Sequence, residues 1–554
     1  MDLKGIGILA GPRIRSPIIA VLGSILVFTL LTHCGNENIE DTVITLGPVL
    51  MRNPNPAAPL VAILELETDR PTRVSLEIRD NISSWPIQFH DYTTSHSLPV
   101  LGLLPDTHYE IAGMVTTPDG NSTRFNSPLG FDTTPLPINF PPIRVIACHP
   151  EKMENGVTLF DARRFNIDKP ARYLIIVNEK GQVLWYYNDN NKDFLDVRRN
   201  SKGNFLIERS PHEIVEVDLL GNVLKSWFTS LSAASTYPGG IPVATERFHH
   251  SVCELPSGNI LTLSRELLRI ENFPTSEADP NGPKETANVV SDVVVEFSQD
   301  GTIVNEWPLT DIIDPRRICY DSLVRAWDWD YGFPPGGTRD WSHANAAEYD
   351  PTDDTIMVTC RNQDSVFKFR RNTGELVWIL GPPGGWVLPY STHLLRPRFD
   401  EYALFDWAYH PHAASLTPEG NILVYDNGNY RAVPPDPKVS SKNNYSRAVE
   451  FRVDMDNMEV TQVWEYGSPN SVPDSEDRYF SPTVGEADWL PQTGNILITH
   501  GDLLSPTHTS ARLIEVTHTQ PSEKVFELLI GTDDPMDFTF WWTYRSERLP
   551  SLYP

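Results

Sequence analysis

The sequence predicts an all-β protein: a small β-sandwich followed by a six-bladed β-propeller. Three observations predict it. First, the 554 residues include 48 Pro and 33 Gly, more punctuation than helix-rich folds carry, and it bounds short apolar runs. Second, a unit of strand, P-x-G-N-type turn and strand recurs, with turns at Gly203-Asn204, Gly258-Asn259, Gly420-Asn421 and Gly494-Asn495. Third, an aromatic residue closes each unit, at Trp185, Trp227, Trp307, Trp378, Trp464 and Phe526. Hydrophobic residues make up 40% and charged ones 21%, which supports a real core rather than long disorder. The formal net charge of −28 excludes a broad nucleic-acid surface, since phosphates need a basic patch.

From the N-terminus, Lys4, Arg13 and Arg15 precede an apolar run from Ser16 to Thr32, the pattern of an export segment over residues 1–33. The run ends in Leu31-Thr32-His33-Cys34, which resembles the bacterial lipobox, although His33 stands where Gly, Ala or Ser is usual. Cys34 is therefore expected to be lipidated, with residues 34–42 as a tether holding an exported periplasmic or cell-surface lipoprotein to a membrane. No other run reaches the ~18 apolar residues a spanning helix needs. Five Cys with no CxxC pair are no disulfide framework.

Residues 43–135 read as the sandwich, with strand-like runs at Ala62–Leu66 and Arg73–Ile78. The stretch Leu101–Ile111 resembles the L-x-P-x-T-x-Y corner of fibronectin type III sandwiches, where the Tyr (here Tyr109) hydrogen-bonds back across the corner. Pro-rich residues 135–142 read as a stiff linker, and residues 136–554 as the propeller. In one unit His249–Leu255 is the first strand, Ile260–Arg265 the second, Val293–Phe297 the third and Thr302–Trp307 the fourth. A ring hides sheet edges better than the rival, an open solenoid.

Aligned on the turn glycine, His250 and His412 occupy the same position in their units, and Glu486 occupies it in the sixth. His343 begins the matching strand of the fourth unit, so three imidazoles converge at one depth of the channel. Five residues along the second strand come Arg265 and Arg361, expected beside His249/His250 and His343 respectively. Asn345 lies two residues from His343 and shares its face. Asp426 approaches the level of His412, either as its orienting group or as a turn residue. His410 shares a strand face with His412 and is the second candidate nucleophile. Three His can bind zinc, but the adjoining Arg residues repel a metal and suit an oxyanion, so no metal and no cofactor is assigned. Two aromatic loops, around Trp327–Trp341 and Trp386–Tyr409, either stack substrate or pack as core.

These residues resemble the bacterial arylsulfotransferase family over nearly the whole exported chain. The carrying motifs are Phe248-His249-His250-Ser251 with the following L-P-S-G-N, Asp340-Trp341-Ser342-His343-Ala344-Asn345, Cys360-Arg361, His412–Leu416 and Asp426–Arg431. The resemblance implies a nucleotide-independent aryl-sulfate sulfotransferase, moving a sulfuryl group from a phenolic sulfate donor to a phenolic acceptor through a sulfohistidine. By position, His412 is then the nucleophile and His250 the acid/base. His343, Asn345 and Arg361 are the sulfate clamp, and Arg265 joins Asn345 as a substrate-binding residue. The family's short-range disulfide has no counterpart, since no two Cys are close in sequence. Two rival readings stand: an aryl sulfate hydrolase, and a non-catalytic ligand-binding propeller. A homodimer is left open.

Overall fold

The computed structural model describes residues 42–553 apart from 165–169, 191, 233–236, 238, 400–404 and 475–476. The apolar run and Cys34 lie outside the described residues. Among the described residues no helix is long and apolar enough to cross a membrane.

The chain folds almost entirely as β-structure. Seven strands, from Ile44–Arg52 to Leu129–Asp132, form the N-terminal sandwich. Its spine is Ala62–Arg79, whose burial alternates along most of its length as a half-buried strand requires. The first half of that strand pairs with Ile44–Arg52 and Thr93–Val100, the second half with Ser84–Gln88 and His108–Thr116. One bent strand thus serves both sheets. At the corner, Tyr109 is fully buried and its hydroxyl accepts the Leu104 N–H at 2.7 Å, as the motif demands.

Six further sheets of four or five strands follow among the described residues. Their innermost strands touch in succession round an axis, an arrangement that is propeller-like. The ends of the chain are sewn into it. Ile143–Cys148, just after the linker, becomes the outer strand of the last sheet, beside Lys524–Ile530. C-terminal Ser546–Leu549 pairs with Val157–Arg164 as the inner strand of the first sheet. Turn glycines 258, 420 and 494 sit at φ of 83°, 79° and 72°, a region that Cβ-bearing residues avoid.

The closing aromatics bind neighbouring sheets together. All six are buried. The indole N–H of Trp185 donates to Leu219 O at 2.9 Å, that of Trp227 to Gln299 O at 3.2 Å, and that of Trp307 to Arg371 O at 3.1 Å. Trp464 does the same to Thr519 O at 3.3 Å. Each accepting carbonyl belongs to a turn of the next sheet, so one residue type fills the interface and satisfies a turn. The third unit departs from the sequence reading. Its second strand runs on to Pro274 and its third begins at Lys284, a long two-stranded ribbon beyond the repeat.

Tyr109→Phe removes the corner acceptor and leaves the Leu104 N–H unpaired. We expect the sandwich to lose about 1–3 kcal/mol of stability. Separate unfolding of the sandwich and the ring, followed by hydrogen exchange, checks this, and unchanged exchange protection in the sandwich would refute it.

Candidate functional site

The inner strands of the third, fourth and fifth sheets are irregular where they begin. Register shifts fall between His249 and Val252, Ala344 and Ala346, and His412 and Ser415. A bulge at the head of a strand re-aims a side chain. His250, His343, His410 and Ala413 accordingly take φ of 60°, 45°, 52° and 48°. The result brings His250, His343, His412 and Arg361 together. The rings of His250 and His343 are 5.2 Å apart, edge to face. Arg361 donates its backbone N–H to His343 O at 3.1 Å. The charges of His343 and Arg361 both bear on His412.

The hydrogen bonds assign the imidazole protons. Asn427 donates its amide N–H groups to Ser481 O and Val484 O, both at 2.8 Å, which turns its Oδ1 toward His412. His412 Nδ1 lies 2.6 Å from that oxygen and must be the donor. Its Nε2 therefore keeps a lone pair. His343 donates Nδ1–H to Asp340 Oδ2 at 2.6 Å. His249 Nε2 is 2.9 Å from Ser264 O, an acceptor, so in the neutral ring its Nδ1 is bare. Against a neutral His249, His250 Nδ1, 2.9 Å away, is the donor, and His250 Nε2 is then an open proton acceptor. Burial, followed by the charges of His249, His343, His412 and Arg545, holds the His250 pKa well below 6.5. Burial and then Arg361 do the same to His412, against the opposing Asn427 bond. Both rings are neutral near pH 7.

His410 is different. Its Nε2 is 3.2 Å from Asp321 Oδ2, and its Nδ1 lies 2.9 Å from Asp364 Oδ1 as an ion pair. Burial opposes the charge, but Asp364 and Asp321 outweigh it and raise the pKa above 6.5. With both nitrogens facing carboxylates, the imidazolium form of His410 is favoured, and that form has no lone pair to offer. It anchors Asp321, which also receives Arg361 Nη1 at 3.3 Å and the Tyr430 hydroxyl at 3.2 Å.

Three expected placements change. Asp426 does not orient His412: it pairs with Arg447 at 2.8 Å and Arg431 at 3.1 Å, and Asn427, one residue on, does the orienting. Asn345 is fully buried, donates to Pro411 O at 2.8 Å and accepts the Ala413 N–H at 3.3 Å, so its amide brackets the backbone of His412. Arg265 leaves the histidines. The bulge pairs His249 with Leu263 and places Arg265 opposite Asp292, two residues further along the ladder. Its guanidinium binds Asp330 at 2.6 Å and lies 4.4 Å from the ring of Trp327. Of the aromatic loops, Trp341 is core, Trp327 stacks on His343 at 6.2 Å and 25°, and Trp329 is 91% exposed.

Two contributors escaped the sequence reading. The Tyr544 hydroxyl lies within hydrogen-bond distance of both His250 O, at 2.9 Å, and Asn345 O, at 3.2 Å. Arg545 donates to Asn345 O at 2.7 Å and lines a cavity of about 750 Å³ beneath the histidines. No spacing rule links them to His412. Among the described residues no cluster of three or more His, Cys, Asp or Glu side chains is arranged to hold a metal ion, and Cys148, Cys253, Cys319 and Cys360 are free thiols.

Comparison with known proteins identifies the neighbours of this chain. A family model described as arylsulfotransferase (ASST) matches residues 143–540, and one described as arylsulfotransferase Ig-like domain matches residues 50–133. Arylsulfate sulfotransferase AssT of Escherichia coli O6:H1 strain CFT073 is 28% identical over 348 residues, 54% of this chain and 53% of that protein. AssT of Lelliottia amnigena is 27% identical over 346 residues, again 54% and 53%. The chain spans about half the length of these curated relatives. Among solved structures, the Cps50 (Swd1) β-propeller domain of Myceliophteria thermophila aligns at TM-score 0.28 and 12% identity over 71% of this chain and 100% of that one, too loosely to carry an argument.

The protonation assignments are testable by nitrogen-15 NMR. His412 should show a protonated Nδ1 and a bare Nε2, and should stay neutral down to pH 5.5, where an imidazole at the ordinary value is about nine-tenths protonated. The sign follows from the depressed pKa: the neutral form persists until pH falls through the lowered value. His410 should remain charged above pH 6.5. A His412 titration centred near 6.5 would contradict the assignment.

Proposed function

The chain belongs to the arylsulfotransferase family, and we propose that it moves a sulfuryl group from a phenolic sulfate ester to a phenolic acceptor through a sulfohistidine on His412. The observation that carries this reading is the His412–Asn427 hydrogen bond at 2.6 Å, which leaves a bare Nε2 on a buried ring near Arg361.

In the first half-reaction, His412 Nε2 attacks sulfur in line and the sulfur–oxygen ester bond breaks. Its electron pair leaves with the phenolate, whose conjugate acid has a pKa near ~10 and needs little help to depart. The proton on His412 Nδ1 stays hydrogen-bonded to Asn427 and spreads the charge of the sulfohistidinium. Arg361 offers positive N–H groups to the equatorial oxygens, where preorganised donors are worth most, and His343, held by Asp340, stands beside them. In the second half-reaction, the acceptor phenol gives its proton to His250 Nε2 as its oxygen attacks sulfur, and the sulfur–nitrogen bond returns its pair to His412. Asn345, Tyr544 and Arg545 act through the backbone that holds these groups. Splitting one difficult displacement into two is the reason for a covalent intermediate.

We further propose that the protein works outside the cytoplasm, tethered through lipid on Cys34. Cys34→Ala should move it from the membrane fraction to the soluble exported fraction. An unchanged distribution would count against the tether.

A labelled aryl sulfate should leave an acid-labile, base-stable adduct on His412. His412→Ala should stay folded and lose transfer by about 1,000-fold or more. Release of a chromogenic phenol should also depend on added acceptor. Release at full rate without acceptor would favour hydrolysis instead, and His412→Ala with undiminished ligand binding and no transfer in the parent would favour a binding protein.

A further inference from the structure

Resting on that reading, we propose that the cavity around Arg247 and Arg265 is a second subsite, which takes the carboxylate of a phenolic substrate whose hydroxyl reacts at His412. The cavity measures about 390 Å³ and its lining includes His212, Glu246, Arg247, Arg265, Trp329 and Tyr331.

Its wall carries two guanidiniums and two carboxylates, and both guanidiniums share one of them. Arg247 and Arg265 converge on a single carboxylate, Asp330, at 2.9 and 2.6 Å. Among the described residues neither guanidinium has a second ion-pair partner. Each keeps further N–H donors in the planar fork that matches a carboxylate. Glu246 stands on the exposed rim and accepts the Tyr331 hydroxyl at 3.1 Å. Burial, and after it the charge of Arg265, presses Arg247 below the ordinary guanidinium value, so a second anion would relieve an existing repulsion. The acidic balance of the chain, −28 overall, makes such a pair a local exception.

One indole links the two arginines to the histidines. Trp327 stacks on His343 at 6.2 Å, while Arg265 and Arg247 lie 4.4 and 5.9 Å from the same ring. In the proposed pose the hydroxyl lies at the histidines and the anion, on a side chain that passes Trp327, lies at the two guanidiniums. Trp329, 91% exposed on the rim, offers an aromatic face to the ring between them. The ligand class is thus a hydroxyaryl carboxylate.

Calorimetry on the whole protein without donor compares 3-(4-hydroxyphenyl)propionate with its methyl ester. The acid should bind about tenfold tighter, the worth of one charge-assisted contact. The preference should fall toward unity in Arg247→Gln and return in large part in Arg247→Lys. High salt should erode it in the unmodified protein, which needs no variant. Equal affinity for acid and ester in the unmodified protein, or an unchanged preference in Arg247→Gln, overturns the subsite. Transfer assays then use the acid and ester as acceptors and, in a parallel arm, their sulfate esters as donors. The arm that shows the same preference identifies whether the acceptor or the donor uses the cavity. A binding preference with no transfer in either arm overturns the transfer reading and leaves the carboxylate site; transfer with no preference overturns the subsite alone.

Discussion

The site depends on a backbone that leaves its strand conformation at the head of three neighbouring inner strands. A non-glycine residue at positive φ costs on the order of 1–3 kcal/mol unless its surroundings hold it. His250, His343, His410 and Ala413 all sit there, within one ring of strand heads. What holds them is a set of hydrogen bonds to backbone. Tyr544 reaches the carbonyls of His250 and Asn345, Arg545 reaches Asn345 O, and the Asn345 amide spans Pro411 and Ala413. Tyr544 and Arg545 directly precede the C-terminal strand that completes the first sheet. Closure of the ring and aim of the histidines are therefore one event.

The same enclosure sets the electrostatics. In a strongly acidic protein, Arg361 and Arg545 both bear on His412, and Arg545 on His250. Burial, which penalises the charged ring, and after it these cations hold both imidazoles well below their ordinary pKa. The carboxylates that would reverse the effect are spent elsewhere: Asp340 on His343, Asp364 and Asp321 on His410, Asp426 on two arginines. An uncharged amide, Asn427, faces His412 instead, and it orients the ring without a full negative charge beside it.

What was legible in the sequence was what repeats. The closing tryptophans, the turn glycines and the corner tyrosine each do one local job, and local jobs leave a spacing. Equivalent positions counted from a turn glycine brought His250 and His412 to one well for the same reason. The misreadings fall where regular register fails. A bulge after His249 carries Arg265 away from the histidines, and the orienting group of His412 is Asn427, one residue beyond Asp426. Strand face does not separate His410 from His412, because the two carboxylates that set His410 apart, Asp321 and Asp364, are distant from it in sequence. Tyr544 and Arg545 act across the whole length of the ring, where spacing carries no information.

The repeat also makes the division of labour around the axis intelligible. Inner strands of the third, fourth and fifth sheets supply the histidines. On the other side, Glu486 of the sixth sheet holds the rung that His250 and His412 hold in theirs, but it pairs with Arg198 of the second sheet, and Arg545 lies 3.7 Å from it and 3.5 Å from Asp196. Buried ion pairs add little net stability, yet removing one partner strands a charge at a cost of about 3–5 kcal/mol. Such a cluster resists rearrangement more than it stabilises. A charged half facing a strained imidazole half gives the ring an asymmetry that equal units would lack.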